Sequence, residues 1–166
     1  MGTSGHHAGD RRTTTCAILT VSDTRTPETD TSGARIRALL EAAGHTVTAY
    51  SILPDEPDLV RERVVDLIAT GVEAVIVNGG TGLAPRDTTY EAVAGLLDKR
   101  LDGFGELFRS LSYAEIGATA MLSRAVAGVS GRTVIASLPG SSGAVELAMS
   151  KLLVPQLGHM VHLVRE

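Results

Sequence analysis

A three-layer α/β/α domain built on a mostly parallel sheet is the fold the sequence predicts, and three observations predict it. Short apolar runs rich in β-branched residues alternate with segments whose apolar residues recur at helical spacing, the pattern of successive βαβ units. The central run, Val75, Ile76 and Val77, carries no polar alternation, as a strand buried on both faces requires. At 166 residues the chain is one domain's worth, large enough to bury most of its apolar surface without disulfides or a structural metal.

Residues 1–12 (MGTSGHHAGDRR) combine glycine, histidine and charge without periodicity and read as a mobile tail, leaving 13–166 as a single domain. Residues 16–21 (CAILTV) are the first buried strand, and 32–43 the first helix, with Ile36, Leu39 and Leu40 on one face and Gly44 ending it. A second strand follows at 45–53, where Val47, Ala49 and Ser51 alternate with polar positions. Val60, Val64, Leu67 and Ile68 mark a helix at 59–69, which leads into the central strand. A further helix opens at Thr88, where Thr88 and Glu91 have the spacing of a capping box. Residues 99–105 (KRLDGFG) read as a turn-rich connection and 106–115 as an amphipathic helix. Strands at 124–129 and 133–138 flank Ser130-Gly131-Arg132 as a hairpin or bulged pair at one side of the sheet. The last helix is expected at 144–153, broken by Pro155, with a short apolar tail after it.

Composition removes several classes of function. With 3% aromatic residues, no Trp and a formal charge of −4, the chain has neither a base-stacking platform nor the basic face that nucleic acid demands. The single Cys16 lies in an apolar strand, as a small buried residue of a reducing compartment would. No apolar run approaches the roughly 20 residues of a membrane span, and no signal-peptide core opens the chain, so it reads as cytoplasmic and without a membrane partner.

In a parallel sheet, ligands bind beyond the carboxyl ends of the strands, and here those ends carry the chemistry. The first strand ends on Ser22-Asp23, the second on Pro54-Asp55, the central one on Gly79-Gly80-Thr81-Gly82 with Arg86-Asp87 beyond, and the last on Pro139-Gly140-Ser141-Ser142-Gly143. Glycines that reach φ > 0 let backbone amides converge on an anion, so both small-residue loops suit phosphate. Asp23, Asp55 and Asp87 are candidate partners for Mg²⁺, which takes one or two carboxylates together with phosphate oxygens. Neither the Walker A pattern nor the dinucleotide fingerprint is present, so a tight corner with acids as helix caps is the alternative reading.

GGTGLAPRD at 79–87, PDE at 54–56, GFGE at 103–106, LSR at 122–124 and LPGS at 138–141 together resemble the molybdopterin adenylyltransferase family of molybdenum cofactor biosynthesis, found also as the G domain of gephyrin. The similarity extends over residues 14–164, and SDTRTPETDTSG at 22–33 with YAEIG at 113–117 resembles its B-type bacterial branch. The resemblance implies Mg²⁺- and ATP-dependent adenylylation of molybdopterin, with Asp55 and Asp87 as the essential carboxylates and metal ligands. It also implies trimers or hexamers made of two trimers. Gly79 to Gly82 and Gly140 to Gly143 then cradle phosphates, while Ser22, Asp23 and Arg124 orient substrate. A non-catalytic molybdopterin-binding or scaffold module of the same fold would need the same loops.

Overall fold

A computed structural model describes residues 12–166, so of the expected tail only Arg12 is included. The strands are β1 (Thr15–Val21), β2 (Thr46–Leu53), β3 (Ala74–Asn78), β4 (Lys99–Arg100), β5 (Val126–Ser130) and β6 (Thr133–Leu138). The helices are α1 (Thr31–Ala42), α2 (Pro57–Ala69), α3 (Thr89–Ala94), α4 (Asp102–Ile116), α5 (Ser142–Ala148) and α6 (Val154–Arg165). Sheet order is β2-β1-β3-β6-β5-β4. The β2, β1, β3 and β6 strands run parallel, β5 is added antiparallel to β6, and β4 pairs antiparallel to β5 at that edge.

Alternation along the strands divides the core into two layers. Cys16, Ile18, Ala74, Ile76, Val134 and Ala136 meet α1, α4, α5 and α6 on one face. Ala17, Leu19, Val75, Val77 and Ile135 meet α2 and α3 on the other. The predicted three-layer arrangement is thus the observed one. Burial pushes the Cys16 thiol up to about 12, which leaves it an inert packing group.

Several boundaries differ from expectation for identifiable reasons. The simple alternation predicted for 45–53 is interrupted by a bulge: Cys16 pairs with Val47, but Ala17 pairs with Ala49. The extra residue, Thr48, flips the phase. Val47 therefore packs with Tyr50 against the α1 face, while Ala49 and Leu53 pack on the α2 face. The turn-rich reading of 99–105 also gives way. Lys99 and Arg100 pair with Val129 and Gly128, and α4 begins at Asp102. Gly105 sits inside that helix because a Cβ there would lie 3.0 Å from the Ala125 carbonyl oxygen.

Pro155 does not end the last helix. After α5 the chain passes through one π-helical segment, Met149–Leu153, where the Val154 N–H donates to the Met149 carbonyl, and runs directly into α6, so Pro155 sits beside a widened turn that takes its ring without ending the helix. What was expected as an apolar tail is a helix that buries Leu157 and Val161 completely. No capping box closes α3: the Thr88 side chain makes no cap bond and goes instead to Asp55. At the opposite end of the sheet, Glu73 gathers the termini. Its carboxylate accepts from Arg12 Nη2 at 2.6 Å and from the Thr15 amide at 2.9 Å, with Arg165 Nη1 at 3.8 Å. Among the described residues, no helix is long and apolar enough to cross a membrane.

Candidate active site at the carboxyl edge of the sheet

The carboxyl ends of β1, β3 and β6 lie side by side where the strand order reverses around β1, the position at which open α/β sheets bind ligands. Over them opens a cavity of about 370 Å³, whose wall includes Val21, Ser22, Arg25, the Gly79 to Gly82 turn, Asp87, Pro139 and Gly140. The two loops meet there with almost nothing between them: a Cβ on Gly140 would approach Gly79 Cα to 3.2 Å. Gly79 (φ 99°) and Gly80 (φ 66°) do take the left-handed region. Gly82 does not, and its requirement is spatial, since a Cβ there would lie 2.5 Å from Asp87 Oδ2. One amide of the expected cradle is already engaged, because Gly79 N–H donates to the Leu138 carbonyl at 3.0 Å.

The two carboxylates stand on either side of this turn. Asp87 is in the cavity wall, with Oδ2 accepting from the Ala84 amide at 3.2 Å. Asp55 lies behind the turn and is 6% exposed. Its Oδ1 accepts from the Thr88 amide at 3.2 Å, Thr88 Oγ1 at 2.9 Å and Thr89 Oγ1 at 3.4 Å. Its Oδ2 is turned towards Gly80, where a Cβ would lie 2.4 Å away. Asp55 thus ties the end of β2 to the segment after the glycine loop.

Residues 17–159 match the model of a probable molybdopterin binding domain. A molybdenum cofactor biosynthesis protein B from Halalkalibacterium halodurans is 52% identical over 165 residues, spanning 97% of this chain and 96% of that protein. The chain belongs to the MoaB/Mog family of molybdenum cofactor biosynthesis proteins. A crystal structure of a molybdenum cofactor biosynthesis protein B superposes with a TM-score of 0.91 at 51% identity, over 93% of this chain and 98% of that one. The tungsten cofactor synthesizing protein MoaB from Pyrococcus furiosus gives 0.85 at 34% identity, over 93% and 99%.

Not all the residues singled out for this MoaB/Mog site line the cavity. Ser22 does; its Oγ accepts from the Thr24 and Arg25 amides, which shapes the turn after β1. Asp23 is spent on a surface latch: Arg86 binds it through Nε and Nη2 at 3.0 and 2.8 Å, and its Oδ1 also accepts from the Asp55 amide. The Arg86 hydrogen bonds, with that amide, hold the Asp23 carboxyl below the usual range. Arg124 sits beneath the glycine turn. Its Nε donates to the Thr81 carbonyl at 2.8 Å and its Nη2 to the Gly82 carbonyl at 2.7 Å, while Nη1 pairs with Glu91 and the guanidinium covers the Tyr90 ring at 4.9 Å. It positions the loop. Pro139 and Gly140 reach the cavity, but Ser141 caps α5 by accepting from the Ala144 amide, and Ser142 and Gly143 fall in α5 itself.

Five wall residues were not singled out as site residues from the sequence: Val21, which closes β1, and Arg25, Thr119, Leu122 and Ser123. Leu122 and Ser123 were within reach, since they precede Arg124 in the LSR motif. Arg25 lies in the SDTRTPETDTSG stretch but has no spacing signal of its own. Thr119 belongs to a 3₁₀ segment, Gly117–Leu122, that no periodicity announces.

Proposed function

We propose that this protein is a molybdopterin adenylyltransferase, joining the terminal phosphate of molybdopterin to the α-phosphorus of ATP with release of pyrophosphate. The observation that carries the reading is the bare glycine turn at the switch point of the sheet, flanked by Asp87 in the wall and Asp55 behind it. A phosphate monoester is already ionised at neutral pH, so its oxygen needs no protein nucleophile and no general base to attack phosphorus. The new P–O bond forms as the bond from the α-phosphorus to the bridging oxygen breaks, and that electron pair leaves with pyrophosphate. What the protein must supply is position and charge.

The donor set suits magnesium. Among the described residues no three of His, Cys, Asp and Glu are gathered into a protein cage, whereas two carboxylates beside a phosphate loop are what a cation shared with phosphates uses. Asp87 would hold Mg²⁺ from the wall and Asp55 through the oxygen turned towards Gly80. When bound, the ion would neutralise charge on the phosphates. Gly80 and Gly82 leave room for the phosphates because neither carries a side chain, and Arg124 keeps the turn in place through the Thr81 and Gly82 carbonyls. Thr88 and Thr89 fix Asp55 by occupying its other oxygen.

The test is pyrophosphate release with ATP, Mg²⁺ and molybdopterin. Release dependent on all three supports transfer, whereas tight molybdopterin binding without release would assign the site to a pterin-binding module. We also propose a trimer, or a hexamer of two trimers, acting in the cytoplasm. Tyr113, Ile116 and Met121 are exposed beside Leu122 of the cavity wall, an apolar patch that a second copy would cover. Ala120 and Val161, by contrast, are buried within the chain and are closed to such a contact. Light scattering across a dilution series checks the assembly, and a persistent mass of 17.3 kDa would contradict it.

A further inference from the structure

Among the described residues, Arg25 is the one lysine, arginine or histidine in the cavity wall, and the scheme above leaves it unused. Its guanidinium is held from behind. Nη1 donates to Asp30 Oδ1 at 3.3 Å and Nη2 to the Gly140 carbonyl at 3.2 Å, so the same side chain spans the loops after β1 and β6. The Asp30 side chain is fully buried while that of Arg25 is 30% exposed, which presents the cation and hides its counter-ion. Asp30 is itself fixed by the Gly33 amide at 2.9 Å and the Tyr50 hydroxyl at 2.5 Å. Gly33 must lack a side chain, because a Cβ there would lie 2.2 Å from Asp30 Oδ2.

The two tethers use two of the five N–H donors of a guanidinium, leaving the others for a ligand. Apart from Arg25, the wall holds one charged side chain among the described residues, Asp87, and otherwise neutral groups. A planar fork pinned on one side and open on the other is the arrangement that binds phosphate oxygens in pairs.

We propose that Arg25 binds a phosphate group of the substrate in this cavity, pre-set for it by Asp30. The identity of the substrates rests on the adenylyl-transfer reading; the anion site rests on the geometry alone. The phosphate has two sources under that reading, the terminal monoester of molybdopterin and the chain of ATP, and titration separates them.

The experiment measures binding of molybdopterin, of ATP with Mg²⁺ and of inorganic pyrophosphate to wild type, Arg25→Gln and Arg25→Lys, with thermal melts as controls for folding. Arg25→Gln should weaken one of the two substrates, and pyrophosphate, by about 10- to 100-fold, the worth of a charge-assisted hydrogen-bonded pair. The affected substrate identifies the source. Arg25→Lys, which keeps the charge without the fork, should fall between. In turnover the loss should appear in KM for that substrate, with kcat changed little. Pyrophosphate bound through Arg25 by a protein that binds neither substrate would sink the adenylyl-transfer reading and keep the anion site. All three ligands bound equally by wild type and both variants would overturn the proposal.

Discussion

Two arginines brace the loops at the carboxyl edge of the sheet, and they do so in opposite settings. Arg25 meets a fully buried carboxylate that is also hydrogen-bonded by the Gly33 amide and the Tyr50 and Thr20 hydroxyls. Arg86 bridges Asp23 and Glu56 on the surface, with all three side chains at least 41% exposed. In the first pair the carboxylate is shielded from water, so moving Arg25 away would strand a buried charge. The second is screened by salt and loses much of its Coulomb gain to side-chain entropy. Loop geometry on the β1/β6 side is therefore built into the fold, whereas the latch joining the β1, β2 and β3 loops is adjustable.

The sharpest way to break this contrast is to remove Asp30. Asp30→Ala leaves Arg25 without its counter-ion and the Gly33 amide and Tyr50 hydroxyl without their acceptor, and denaturant unfolding should show a loss of about 2–4 kcal/mol. Next comes the turn. Gly80→Val places a β-branched residue at φ 66° and drives its Cβ to 2.1 Å from Thr89 Oγ1. Strain of about 1–3 kcal/mol and a marked loss of molybdopterin affinity should follow, read by calorimetric melting and titration. Wild-type affinity in that variant would reduce the loop to a corner.

Acid titration sharpens the same comparison. Burial pushes the Asp30 carboxyl up, but hydrogen bonds from Thr20, Tyr50 and Gly33 and the charge of Arg25 outweigh it and hold it below the ordinary range. Its contribution to stability is present above the ordinary carboxylate pKa and is lost as pH falls through the folded value. His45 acts earlier. Burial lowers its pKa, and its Nδ1 accepts from the Thr14 amide at 3.2 Å, so protonation both charges a buried ring and breaks that bond. Stability should start to decline below about pH 6.5 and fall further through the lowered His45 value. In His45→Gln that first decline should be absent. The smallest effect belongs to Arg86→Ala, which should leave the melting temperature nearly unchanged and cancel what little salt dependence the latch confers.

The layers, the parallel centre of the sheet and the two small-residue loops were legible because period and glycine placement are local signals. Asp87, Ser22 and Gly140 reached the cavity as expected for the same reason: each follows a strand directly or through its loop. The rest depended on tertiary events. The Thr48 bulge, invisible to alternation, puts Tyr50 on the face where it meets Asp30. Pro155 looked like a stop because its place in a continuing helix depends on the π-helical segment before it. Arg124 looked like a ligand contact because its motif is shared, but charge alone does not say that a guanidinium will be consumed by three backbone carbonyls.

The most direct test is single-turnover formation of adenylyl-molybdopterin by wild type, Asp87→Asn and Asp55→Asn at saturating ATP and Mg²⁺. If the glycine turn and its two carboxylates act by positioning and charge, both variants should lose at least ~100-fold in rate while binding molybdopterin within about twofold of wild type. Near-normal rates in both variants would contradict the assignment of Asp55 and Asp87 to the reaction.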